Sequence, residues 1–174
     1  MDALKKMIRE IPDFPKPGIL FYDITTLFEN RWGLKQCLDI LEAHYKYQQI
    51  DKIAGIESRG FIVGAALADR LNCGFSVIRK KGKLPWKTIS ETYELEYGTD
   101  DLEMHIDAIK PGERVLIVDD LLATGGTLEA SAKLVKKLEG EIVGLTCIVE
   151  LLGLNGRKKL SEYNVHTLLS YEGE

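Results

Sequence analysis

The sequence predicts one α/β domain with a mainly parallel central sheet flanked by helices. Three observations carry this. Short apolar runs alternate with longer amphipathic segments along most of the 174 residues, the pattern of strand–helix–strand units joined by right-handed crossovers. Val115-Leu-Ile-Val118 contains no polar residue, as expected of a strand covered on both faces. Three such runs are followed by glycine, hydroxyl and charged residues, at the strand ends where open α/β sheets collect ligands.

Taken in order, residues 2–10 suggest a short helix that Ile11-Pro12 ends. The next stretch, Pro12 to Gly18, holds three of the five prolines and must be irregular or extended. Leu34 to Gln48 reads as a helix with Cys37, Leu38, Leu41 and Tyr45 on one face. Ile53–Ile56 is a short strand. Phe61–Leu71, apolar almost all round until Asp69-Arg70, is a buried helix. Phe75–Ile78 is the next strand. Residues 84–104 mix polar residues with the β-formers Ile89, Tyr93, Leu95 and Tyr97, and read as a long hairpin or mobile excursion. Pro111-Gly112 turns the chain into the strand Val115–Val118, which should end before Asp119-Asp120. A helix from Thr127 to Leu138 places Leu128, Ala132, Val135 and Leu138 at helical spacing. Glu141–Glu150 and Val165–Leu169 complete the strands. No repeat or linker divides the chain, so one domain spans 1–174.

A net charge of −4 argues against a general nucleic-acid or membrane surface. Cys37, Cys73 and Cys147 are odd in number and widely spaced, which favours free buried thiols in a reducing cytoplasm. No targeting segment or bilayer-length apolar run is expected. His44, His105 and His166 stand apart, so no metal cluster is expected.

The chemistry concentrates at three strand ends. Asp119 and Asp120 can accept hydrogen bonds from vicinal hydroxyls. The following Ala123-Thr124-Gly125-Gly126-Thr127 opens a helix whose free amides and dipole favour an anion. Gly-Gly-Thr alone would fit an ordinary strand–turn–helix link. With the acid pair and apolar strand before it, the segment describes a site for a phosphorylated sugar. Glu57-Ser58-Arg59-Gly60 repeats the design, with Arg59 able to fork onto phosphate oxygens. A capped helix start with Arg59 in solvent accounts for it equally well. Arg79-Lys80-Lys81-Gly82-Lys83 is a basic turn at a third strand end; alone it would pass for a solvated charge run. Two anion loops and a basic turn suit a substrate with phosphates at both ends. The glycine motifs of NTPases and dinucleotide enzymes are both missing.

The order of Pro12-Asp-Phe-Pro-Lys-Pro-Gly18, Asp23-Ile-Thr25, Gly55-Ile-Glu-Ser-Arg-Gly60, Gly82-Lys-Leu-Pro85, Tyr93-Glu-Leu-Glu-Tyr-Gly98 and Asp119 to Thr127 resembles the adenine phosphoribosyltransferases over essentially the whole chain. The resemblance implies a type I phosphoribosyltransferase fold: a five-stranded, largely parallel core sheet, an N-terminal hood over about 1–33 and a flexible catalytic loop over about 82–104. It also implies a cytoplasmic homodimer that converts phosphoribosyl pyrophosphate (PRPP) and adenine to AMP and pyrophosphate. Mg²⁺ would be held through substrate and water, with few or no direct protein ligands.

By the same resemblance, Ala123, Thr124, Gly125, Gly126 and Thr127 hold the 5′-phosphate, and Asp119 and Asp120 the ribose hydroxyls. Pyrophosphate falls to Glu57, Ser58, Arg59, Gly60, Arg79, Lys80 and Lys83, with Arg79 reaching toward the partner subunit. Leu20 and Tyr22 read adenine through main-chain groups while Phe21 stacks on it. Glu96 is the candidate for moving a proton at adenine N7 or N9, or for orienting the base by accepting a hydrogen bond. Arg59, Glu96, Asp119 and Asp120 are thus the catalytic candidates. The chain departs from its relatives in having Phe21-Tyr22-Asp23 where Phe-Arg-Asp or Phe-Lys-Asp is more usual, and Trp86 after Leu84-Pro85 is atypical. A phosphoribosyltransferase for xanthine or hypoxanthine is the alternative reading; a PRPP-sensing regulator lies further off, since no DNA-binding segment is evident.

Overall fold

The computed structural model describes residues 1–94 and 98–172; Glu96 therefore lies outside the described residues. The N-terminal part runs α1 (Asp2–Lys5), β1 (Arg9–Pro12), β2 (Leu20–Asp23), α2 (Thr25–Glu29) and α3 (Gly33–Tyr45). The remainder runs β3 (Lys52–Ile56), α4 (Arg59–Leu71), β4 (Gly74–Lys80), β5 (Thr88–Glu94), β6 (Thr99–His105), β7 (Arg114–Leu122), α5 (Gly126–Lys137), β8 (Glu141–Leu151) and β9 (Val165–Tyr171).

Seven strands form one sheet in the order β5-β6-β4-β3-β7-β8-β9. The five from β4 to β9 pair in parallel, as expected. Thr88–Glu94 and Thr99–His105 pair antiparallel, and β6 extends the sheet antiparallel from the edge of β4. The alternation of β7 explains the layering. Leu116 and Val118 pack with Leu41, Val63 and Leu67 on the face covered by α3 and α4. Val115 and Ile117 point the other way, toward Leu134 and Val135 of α5. Each such side chain contributes about 1.5–3 kcal/mol by burial. Among the described residues no helix is long and apolar enough to cross a membrane, and all three cysteines are free.

Two expectations need correction. Residues 2–10 are not one helix: only Asp2–Lys5 is helical, and Arg9–Pro12 is a strand paired antiparallel with β2. Pro12 ends this edge strand, where its missing N–H costs nothing. Second, β7 does not stop at Val118. Asp119 and Asp120 lie within it, because pairing with β8 continues through Leu122 opposite Glu150.

The segment between β8 and β9 is pinned by one buried carboxylate. Glu150, 4% exposed, receives Arg157 in a fork of two 2.7 Å contacts and the Thr167 hydroxyl at 2.8 Å. Burial opposes its charge, but Arg157 and Thr167 outweigh burial and hold the carboxyl below its ordinary range. A lowered folded value means this stabilisation is complete above the unfolded carboxyl's range and is lost as pH falls through the folded one. Arg157→Ala should cost about 2 kcal/mol at neutral pH, mostly by stranding Glu150. Urea unfolding of mutant and parent should show that gap narrowing in acid; an equal gap at both pH values would contradict it.

Candidate active site

The parallel strands deliver their carboxyl ends to one edge, and the loops there enclose a cleft of about 310 Å³. Ser58 and Arg59 enter from the start of α4, Lys80 from the end of β4, and Asp119 and Asp120 from β7. Ala123, Thr124, Gly125 and Thr127 close the opposite wall. The first-turn amides of α5 have no intrahelical acceptor, so the turn is ready for an anion. Gly126 begins α5, and Gly60 is buried against Val118 and Asp119.

The acid pair forms the floor. Each residue is 7% exposed, and the Asp120 amide donates to Asp119 Oδ1 at 2.8 Å. Burial pushes the Asp119 carboxyl well above the usual carboxylate range, and the adjacent Asp120 charge adds to this. Asp120 faces Arg59, whose Nε lies 2.9 Å from Asp120 Oδ2. The same guanidinium stands 6.0 Å from the Phe21 ring centroid, so it spans from the acid floor to β2.

The basic turn is organised from within. Arg79 forks onto Glu57, with Nε–Oε2 at 3.2 Å and Nη2–Oε1 at 3.3 Å, and the Lys80 amide donates to the same carboxylate at 3.0 Å. Burial alone would raise Glu57, yet Arg79 and the Lys80 amide hold it below its ordinary range. Glu57 is thus a bracket for the end of β4 and brings no free charge to the cleft. Its peptide bond to Ser58 is cis. Lys83 is tied in through its carbonyl, which accepts Arg79 Nη1 at 3.1 Å. Lys80 does line the cleft, its ammonium 3.1 Å from Asp100.

A second, apolar pocket of about 220 Å³ adjoins, lined by Leu20, Phe21, Tyr22, Leu121, Leu151 and Leu154 with Ile19. Leu121 borders both spaces. An aromatic-walled slot beside a polar cleft suits a flat heterocycle joined to a charged group.

The phosphoribosyl transferase domain model matches residues 23–171. An adenine phosphoribosyltransferase of Brachyspira hyodysenteriae is 59% identical over 168 residues, which cover 97% of this chain and 99% of that one. The chain belongs to the adenine phosphoribosyltransferase family. Among solved members, the enzyme of Thermoanaerobacter pseudethanolicus superposes with a TM-score of 0.94 at 50% identity, covering 98% of this chain and 99% of that one. The Saccharomyces cerevisiae enzyme, complexed with D-2,5-dideoxy-2,5-imino-altritol 1,6-bisphosphate and adenine, gives 0.91 at 42% identity, covering 97% of each chain.

For this adenine phosphoribosyltransferase family member, sequence reasoning overlooked several contributors. Tyr93 entered the sequence reading as a β-former and as the start of the Tyr93–Gly98 motif, with no role of its own, yet it lines the cleft and its hydroxyl lies 3.5 Å from Asp100. Burial and Asp100 push that phenol up, against the Thr127 hydroxyl that lowers it. The period-2 pattern of the hairpin was the one available signal, since it puts Tyr93 on the inward face. Leu151 and Leu154 gave no signal at all. They are ordinary leucines until β8 and the turn after it carry them to the pocket lined by β2.

Proposed function

We infer that this chain transfers the 5-phosphoribosyl group of PRPP to N9 of adenine, yielding AMP and pyrophosphate in purine salvage. One arrangement supports this most strongly: a buried acid pair between two amide-rich loops, opening directly onto an apolar, aromatic slot. The three compartments match sugar, phosphates and base in number and adjacency.

In this reading the first turn of α5 holds the 5′-phosphate, and Asp119 and Asp120 accept the ribose hydroxyls. Departure of pyrophosphate leaves positive character on the sugar, which the acid floor favours electrostatically. Ribose hydroxyls that engage Asp120 release Arg59, whose fork then turns to a pyrophosphate oxygen beside Ser58 and Gly60. Lys80 supplies a second cation, and Arg79, bracketed by Glu57, shapes the turn that presents it. Each charge-assisted hydrogen bond is worth about 1.5–3 kcal/mol, so positioning carries most of the rate. Main-chain groups at Leu20 and Tyr22 offer a donor and an acceptor to adenine's N1 and N6, a pairing that mismatches 6-oxopurines. Glu96 remains the proposed group for proton movement at the base.

Mg²⁺ is the proposed cofactor. The carboxylates of Asp119 and Asp120 are hard oxygen donors that suit its water shell, and the ion would neutralise charge on the departing pyrophosphate. A cytoplasmic homodimer is proposed as well; three free thiols support the reducing compartment.

The test is direct. Purified protein with PRPP, Mg²⁺ and radiolabelled adenine should form AMP, whereas hypoxanthine and xanthine should react at least about a hundredfold less efficiently. Comparable consumption of hypoxanthine, or no AMP from adenine, would overturn the assignment.

A further inference from the structure

Among the described residues, the hood strands β1 and β2 pair only with each other. A two-stranded ribbon is marginal by itself in water, so its position depends on what clamps it to the sheet. One clamp is aromatic. The Tyr22 ring packs on Tyr171, the last residue of β9, with centroids 4.0 Å apart and planes tilted by 32°. Lys5 of α1 places its ammonium 5.0 Å from the Tyr171 centroid and donates to the Ser170 carbonyl at 2.5 Å. Two N-terminal elements are thus fastened to the end of one sheet strand.

The clamp sits directly behind the apolar slot. Tyr171 is the register partner of Leu151 in β8, and Leu151 and Tyr22 both line the slot, whose wall stops short of Tyr171 itself. Burial pushes the Tyr171 phenol up to about 12, with the Tyr22 hydroxyl adding to it, and burial raises Tyr22 too. Both rings stay neutral through any ordinary working pH, so the stack does not depend on ionisation.

We propose that Tyr171 is a positioning residue for the base: stacked on Tyr22, it holds the hood strand that faces adenine and sets base affinity without taking part in bond making. This rests on the adenine-reading role given to β2 above. A contact that acts through the hood should leave the phosphoribosyl side largely in place, because the acid floor and the α5 turn are built from β7 and α5 and Arg59 is anchored on Asp120.

Steady-state kinetics on the full chain with Mg²⁺ test this. Tyr171→Ala should raise KM for adenine about tenfold, the scale of a lost aromatic pair, while kcat and KM for PRPP stay within about twofold. Tyr171→Phe keeps the ring and should recover most of the affinity. Tyr171→Leu keeps bulk without the ring and should fall between them; it carries the measurement if the alanine variant does not fold. Combining Tyr22→Leu with Tyr171→Ala should cost no more than the worse single change, since both remove one contact. The proposal fails if adenine KM is unchanged in Tyr171→Ala, if PRPP KM rises equally, or if the double mutant is additive. A parent enzyme that makes no AMP would sink the functional reading, and this one with it. An active parent with kinetics shared by Tyr171→Ala would sink the clamp alone.

Discussion

Asp120→Asn should lower kcat/KM for PRPP by about a thousandfold, while leaving the protein folded. Asparagine preserves the shape and one acceptor of a side chain that is 7% exposed, so the packing of β7 survives. What disappears is charge. Two charge-assisted hydrogen bonds to ribose hydroxyls, at about 2 kcal/mol each, account for about three powers of ten. The loss also leaves Arg59, whose Nε lies 2.9 Å from Asp120, without its anionic partner. The neighbouring position should behave differently. Arg59 forms its ion pair with Asp120, whereas Asp119 accepts the Asp120 amide, so Asp119→Asn strands no cation and should cost less than Asp120→Asn. Initial rates with varied PRPP, together with thermal unfolding, decide it. A folded Asp120→Asn enzyme within about threefold of the parent would remove the carboxylate from the reaction.

The difference between the two aspartates also marks how far the sequence could be read. Their identity and their place at a strand end were legible, because an apolar run followed by acids and glycines is a local pattern. That they lie inside the strand was not legible. Charge breaks the hydrophobic run, and only the register with β8, Asp119 opposite Cys147 and Leu122 opposite Glu150, carries the ladder through them. The same physics hid β1. Residues 2–10 have helical spacing locally, but Arg9–Pro12 gains hydrogen-bond partners from β2 once the proline-rich stretch has turned the chain back. Local periodicity gave the α3, α4 and α5 regions correctly because each buries its own apolar stripe. Roles that depend on meeting across the sheet, as for Leu154 and Tyr171, leave no trace in spacing. Glu96 was read from its motif alone, and its candidacy rests there.

Gly156→Ala should impair PRPP use as severely as many changes within the cleft, although sequence reasoning gave this residue no role. Gly156 lies in the turn between β8 and β9, and its backbone packs on that of the phosphate turn. A Cβ at Gly156 would meet the Ala123 carbonyl oxygen at 2.2 Å and the Gly125 amide nitrogen at 3.0 Å. Gly125 is held just as closely, since a Cβ there would meet the Gly156 carbonyl at 2.6 Å, and its φ of 82° already favours glycine. These are main-chain atoms, which cannot swing aside as a side-chain tip does. Nor can the turn retreat easily, because Arg157 is forked onto Glu150 and donates to the Val165 carbonyl. The methyl group must therefore displace the Ala123–Gly125 turn. A shift of about 1 Å in such a positioning element costs about a hundredfold in rate. We expect kcat/KM for PRPP to fall by about that factor, with a smaller change in KM for adenine. Gly112→Ala is the control: its φ is 78° with nothing within 4 Å of the added Cβ, so it should cost about 1 kcal/mol of stability and leave the kinetics alone. If Gly156→Ala instead matches the parent in kcat/KM for PRPP, the phosphate does not depend on the shape of this turn.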